Sequence, residues 1–142
     1  MKFRHIIVSI TLFLTSHCFA QTDSTNITGT WVDMSDKSRN RFIFTNDGYA
    51  ISVVRGDSSG GSPEKNRGRY LRYEVKKSTK YYTLDLAGGK ITNGKKEDSQ
   101  TVKGIFIYLA DGRIKLCLNL DPRQARPATF IKKNTVILTK QE

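Results

Sequence analysis

Histidine is nearly absent from this chain. Of its 142 residues two are histidine, His5 and His17, and both fall within the first twenty. Cysteine is as sparse, with Cys18 in that same segment and Cys117 alone after it. Proline occurs three times and tryptophan once. Each shortage excludes something. Without imidazole beyond residue 20, a serine or cysteine nucleophile has no ordinary base to take its proton. A zinc or copper site lacks its commonest donor, so no metal and no cofactor are expected. A single leftover cysteine forms no internal disulfide. Stability then rests on an apolar core, which one domain of this length can supply. After residue 20 no run is long and apolar enough to span a bilayer. Nor does any window keep a 3.6-residue apolar period, which argues against helices. Acid is short too: 13 Asp+Glu stand against 24 Lys+Arg, for a formal net charge of +11.

What is present begins with an export pattern. Lys2 and Arg4 precede a short apolar stretch over residues 6–14, and Cys18-Phe19-Ala20 offers small residues at the cleavage positions. This predicts a signal peptide over 1–20, cut after Ala20. His17 stands where a lipoprotein signal would place a small residue before Cys18. A polar leader over 21–27 and a single domain over 28–140 should follow, exported to the periplasm or beyond, as a monomer. Cys117 reads as a small buried hydrophobe rather than a reactive thiol.

Short β-branched and aromatic runs separated by turn residues predict an all-β domain. Strands are expected over 28–33, 41–45, 49–55, 68–75, 81–86, 101–109, 113–120 and 135–139, with a short pairing segment near Phe130. Asn46-Asp47-Gly48 and Ala110-Asp111-Gly112 supply tight hairpins. Residues 56–67 and 87–100 read as polar, glycine-bearing loops. Eight hairpin-linked strands would leave two open edges, which closure into an up-and-down antiparallel barrel removes. An eight-stranded interior is filled by side chains or admits one small ligand.

Two stretches carry a family likeness. Gly29-Thr30-Trp31 resembles the G-x-W signature of lipocalins. Further along, Gly104, Ile105, Phe106, Asp111, Gly112, Leu116 and Cys117, followed by Arg126, Pro127 and Phe130, resemble the pattern of a family of secreted bacterial lipocalin-like domains abundant in planctomycetes. Thr83-Leu84-Asp85-Leu86 is similar to that family's central strand. Phe106 stands where the family has tyrosine, and the proline before the central strand is missing. The resemblance implies an eight-stranded lipocalin-like barrel and export, and it brings no established activity. It also implies that Trp31 closes one end of the barrel against a basic side chain, Arg126 or Lys140, by cation–π contact.

Other constellations weigh less. Gly56-Asp57-Ser58-Ser59-Gly60-Gly61-Ser62-Pro63 looks like a serine-protease nucleophile loop, contains the end of an Arg-Gly-Asp triplet and continues into S-x-x-K at Ser62–Lys65. With no base and no helix to present that serine, it reads as a mobile loop at a barrel rim. Asp85, the one acid central to an expected strand, is read as a buried ion-pair partner of Arg126. The cations Arg69, Arg72, Lys76 and Lys77, and later Arg123, Lys132 and Lys133, form a candidate basic face for an acidic protein or an anionic envelope polymer. Nucleic acid is disfavoured by export. A solvated, soluble surface is the plainer reading of that charge.

The expected function is therefore an exported, non-enzymatic, lipocalin-like binding protein holding a small apolar or amphipathic ligand. Trp31, Phe42, Phe44, Tyr73, Phe106, Tyr108 and Arg126 are the ligand-binding or barrel-closing candidates. The alternative is an inhibitor or immunity-type protein that docks on an acidic partner through its basic face.

Overall fold

A computed structural model describes residues 25–35, 37 and 39–142. The expected signal peptide, and the leader up to residue 24, lie outside the described residues. Among the described residues there is no α-helix, and no helix long and apolar enough to cross a membrane.

Nine strands form one antiparallel sheet. In chain order they are β1 (Gly29–Asp33), β2 (Arg41–Phe44), β3 (Ala50–Val54), β4 (Asp57–Gly60) and β5 (Arg69–Lys77), then β6 (Tyr82–Thr92), β7 (Lys95–Tyr108), β8 (Ile114–Asn119) and β9 (Thr135–Gln141). The spatial order is β4-β3-β2-β1-β9-β8-β7-β6-β5. Successive strands are neighbours except β4 and β5, and the first and last strands pair, with Trp31 opposite Lys140. That pairing curls the sheet into a half-barrel and leaves its edges, β4 and β5, facing one another across a seam. Isolated backbone bridges cross the seam: the Leu71 N–H donates to Gly61 O at 3.1 Å and the Tyr73 N–H to Gly48 O at 2.9 Å.

Eight strands were expected and nine are found. The additional strand is β4, inside the segment read as a mobile rim loop. Arg55 and Gly56 both take positive φ, 52° and 90°, which turns β3 back on itself in two residues. Ser58 and Ser59 then pair with Val53 and Ser52. Serine has little intrinsic strand preference, but a short polar strand is what a sheet edge tolerates. The second expected loop, 87–100, is also strand. Asn93-Gly94, with φ of 50° and 75°, joins β6 to β7, which continue as a long exposed hairpin past a register shift at Gly88/Gly89. Near Phe130 there is no strand; a 3₁₀ turn over Lys132–Asn134 leads into β9 instead.

Alternation divides the strands cleanly between two faces. The inner face carries Trp31, Phe44, Leu84, Leu86, Phe106, Ile114, Leu116, Leu118 and Leu138, which form the core. Ile27, just before β1, is fully buried with them. The outer face is covered where β8 runs on to β9. Asn119 and Asn134 tie down that connection, the Asn119 amide donating to Ala125 O and the Asn134 amide to Asn119 Oδ1 at 3.0 Å. Beneath it Ile105 and Cys117, paired across β7 and β8, are fully buried, so Cys117 is the structural hydrophobe expected of it.

Candidate functional site

The interior of the half-barrel is asymmetric from one end to the other. At one end it is solid. Trp31 is buried, its Nε1–H donating to Ile27 O at 2.8 Å. Phe106 stacks on Tyr82 at 5.0 Å between ring centroids, and Tyr108 meets both edge-on. Phe44 meets Tyr73 edge-on at 5.1 Å. Two of these tyrosine hydroxyls find backbone acceptors, Tyr73 on Thr45 O at 2.9 Å and Tyr108 on Asn26 O at 3.1 Å. Burial pushes both phenols above their ordinary pKa, since a phenolate would be poorly solvated there. Lys140 Nζ lies 5.7 Å from the centre of the Trp31 ring. Gly29 makes this possible: a Cβ there would come within 2.8 Å of Lys140 Cε. The glycine two residues before the tryptophan therefore lets the lysine stem cross β1 and reach the ring.

Toward the other end the side chains stop short of one another and leave a cavity of about 440 Å³. Phe42, Leu71, Leu86, Val102, Leu118 and Val136 form its walls. Asp33, Asn40, Arg41, Lys133 and Asn134 add polar groups to the lining. Leu120 and Val54, both also lining it, are 76% and 48% exposed, so the mouth itself is apolar.

Asp33 is the notable polar group. It ends β1 on the same face as Trp31 and is only 8% exposed. Its Oδ1 accepts the Ser35 N–H at 2.9 Å and the Ser35 hydroxyl at 2.6 Å. Its own N–H donates to Asn40 O at 2.8 Å, which closes the β1–β2 connection.

The expected site residues divide between these regions. Phe42 lines the cavity, while Trp31, Phe44, Tyr73, Phe106 and Tyr108 belong to the solid end or pack against it. Arg126 is elsewhere. It lies on the outer face, where its guanidinium donates to Asp85 at 2.7 Å and to Gly104 O at 2.8 Å. The expected Asp85–Arg126 ion pair is present, with both side chains about three-quarters buried. Lys140, not Arg126, is the cation at Trp31. Asp33 is the residue that sequence reasoning passed over; its signal was parity, two residues beyond Trp31 on one strand.

The basic candidates do not share one element. Arg69, Arg72, Lys76 and Lys77 stand on β5, with successive residues on opposite faces, while Arg123, Lys132 and Lys133 stand on the β8–β9 connection. Several have carboxylate partners: Arg72 with Asp98 at 2.5 Å, Lys76 with Glu74 at 3.0 Å and Arg123 with Asp121 at 3.0 Å. Arg72, beside the seam, and Tyr70 both donate to Asp98 and hold its carboxyl below the usual range. From the β6–β7 hairpin Lys96 donates to the Tyr49 hydroxyl at 3.1 Å, reaching across the seam. Among the described residues no three His, Cys, Asp or Glu side chains converge as a metal-holding group.

Compared with family models, with curated proteins and with solved structures, the chain finds no match.

Proposed function

We propose that this chain is an exported, non-enzymatic binding protein that holds a small apolar or amphipathic molecule in the open half of a lipocalin-like barrel. One observation carries the reading: an apolar cavity of about 440 Å³ whose lining includes a few polar side chains, next to a solid aromatic plug. Small-molecule sites commonly have roughly 300–1,000 Å³, apolar walls and a few polar groups that fix orientation. Full closure of the barrel is part of this proposal, and the seam bridges at Leu71 and Tyr73 support it. Turnover draws no support from the lining, where among the described residues Asp33 is the single carboxylate and no histidine stands. Docking on an acidic partner draws less support than ligand binding, since Arg72, Lys76 and Arg123 already face acids of their own chain.

An environment-sensitive apolar dye tests the reading. It should bind the protein saturably and raise its melting temperature, with about 2.7 kcal/mol of stabilisation at one hundred times Kd. Val102→Phe, which pushes a ring into the cavity, should abolish binding while the β circular-dichroism spectrum persists. Undiminished binding by that folded variant would refute the cavity as the site.

A further inference from the structure

The opening of the cavity is edged with apolar side chains that the fold leaves in water. Met34, Val54, Leu120 and Ile131 are the exposed large hydrophobic residues among the described ones, and Leu120 is 76% exposed. They come from three separate connections. Met34 directly follows β1, Val54 ends β3, Leu120 directly follows β8, and Ile131 precedes the 3₁₀ turn that leads into β9. In an antiparallel sheet alternate connections fall at the same end, so these three share one end of the half-barrel. Val54 and Leu120 line the cavity itself, as do Asp33, next to Met34, and Lys133, two residues from Ile131. The turns at the other end, 45–49, 78–81 and 109–113, present no exposed large hydrophobic side chain. Single exposed apolar residues are ordinary on a protein surface, whereas a group of them at one opening marks an interaction face.

Charge is divided in the same way. The connections 34–40, 55–56 and 120–134 carry Lys37, Arg39, Arg55, Lys132 and Lys133, all exposed, and no ion pair among the described residues engages them. The acids of these stretches are Asp36 and Asp121, and Arg123 takes up Asp121. At the other end the turns balance Asp47 and Asp111 against Lys80 and Arg113. Exposed cations around exposed apolar tips suit a surface that is negative and has an apolar layer beneath it. A second copy of this chain would instead bring the same cations face to face. We propose that the mouth end docks on an anionic lipid bilayer, with the apolar tips dipping below the headgroups and the cations lying among them. The rim needs no ligand in the cavity to do this, so docking goes beyond the proposed carriage and holds without it.

Two tryptophan reporters test the docking. Leu120→Trp places one at the rim and Ala110→Trp places one at the opposite end; both positions are exposed, so the β circular-dichroism spectrum should stay native. With vesicles of mixed phosphatidylglycerol and phosphatidylcholine, the rim reporter should shift its emission to the blue and be quenched by lipids brominated in the tail. The Ala110→Trp reporter should not respond. Vesicles of phosphatidylcholine alone should bind about tenfold or more weakly, and Lys132→Glu/Lys133→Glu added to the rim reporter should weaken binding to the anionic vesicles by a similar factor. No rim shift with anionic vesicles, equal binding to both kinds of vesicle, an equal response from Ala110→Trp, or full binding by the charge-reversed variant overturns the assignment. A rim shift that grows with protein concentration in the absence of lipid overturns it in favour of two copies meeting through this face.

Discussion

Arg126 shows how one side chain can hold two parts of the curled sheet together without touching its interior. It reaches from the β8–β9 connection to Asp85 on β6 and to the backbone oxygen of Gly104 on β7. Gly104 itself is held to glycine from the inner side, where a Cβ would come within 2.5 Å of Leu118 Cδ2. Removing the guanidinium leaves Asp85 about three-quarters buried with its charge unmatched and strips two carbonyls of a donor. Arg126→Met should therefore cost about 2 kcal/mol, discounted from the 3–5 kcal/mol of a fully buried broken pair. Urea unfolding measures this, and the double variant Asp85→Leu/Arg126→Met should recover part of the loss. A loss within experimental error in the single variant would show that the pair is idle. The Asp85–Arg126 pairing was legible in sequence because an acid at the centre of an apolar strand needs a partner. The site of Arg126 on the outer face was not, because a loop residue has no parity.

At the scale of elements the seam is the part with least support. β4 has four residues and three of them are exposed. Gly60 admits the close approach of the edges: a Cβ there would meet Ala50 O at 2.5 Å and Leu71 Cβ at 2.7 Å. Outside the seam stands the cluster of Tyr49, Tyr70, Arg72, Lys96 and Asp98. Asp98 is acidified there by Arg72 first and Tyr70 second, from a usual value of 3.8. A carboxyl whose folded pKa lies below its unfolded one stabilises the fold above the unfolded pKa and ceases to as pH falls through the folded value. Acid should thus loosen the seam before it unfolds the sheet. Protection of the Leu71 and Tyr73 amides against hydrogen exchange, relative to their intrinsic rates, should fall below about pH 4, and Asp98→Asn should flatten that dependence. An unaltered pH profile in the variant would remove Asp98 from the seam's support. The β6–β7 hairpin was in principle readable, since Asn-Gly is the strongest two-residue turn signal. Its flanks hide it: Ala87-Gly88-Gly89 and Lys95-Lys96-Glu97-Asp98 carry no apolar alternation, because that part of the hairpin is exposed.

For the whole molecule the decisive contact joins the two ends of the described chain. β9 sits between β1 and β8, the fifth strand of nine. It supplies Leu138 to the core, Val136 to the cavity wall and Lys140 to the Trp31 ring. This most distant pairing in sequence bears on the core most directly, so folding should be slow, on the order of milliseconds to seconds. Deleting the last strand, residues 135–141, should leave a chain without cooperative unfolding, rather than a folded sheet lacking one strand. Circular dichroism during thermal melting tests this; a sharp transition in the truncated chain would mean that β1–β9 pairing is dispensable.

By itself the sequence determined the strand class, most strand positions, the inward set of Trp31, Phe42, Phe44, Tyr73, Phe106 and Tyr108, and the absence of histidine chemistry beyond residue 20. These follow from local alternation and composition, which need no knowledge of neighbours. Only the tertiary structure decided which end of the interior is solid and which is hollow, that Lys140 rather than Arg126 covers Trp31, and that Asp33 lies on a cavity wall. Those outcomes depend on strand register and on how the sheet curls, and such distances arise only when residues far apart in the chain are brought side by side.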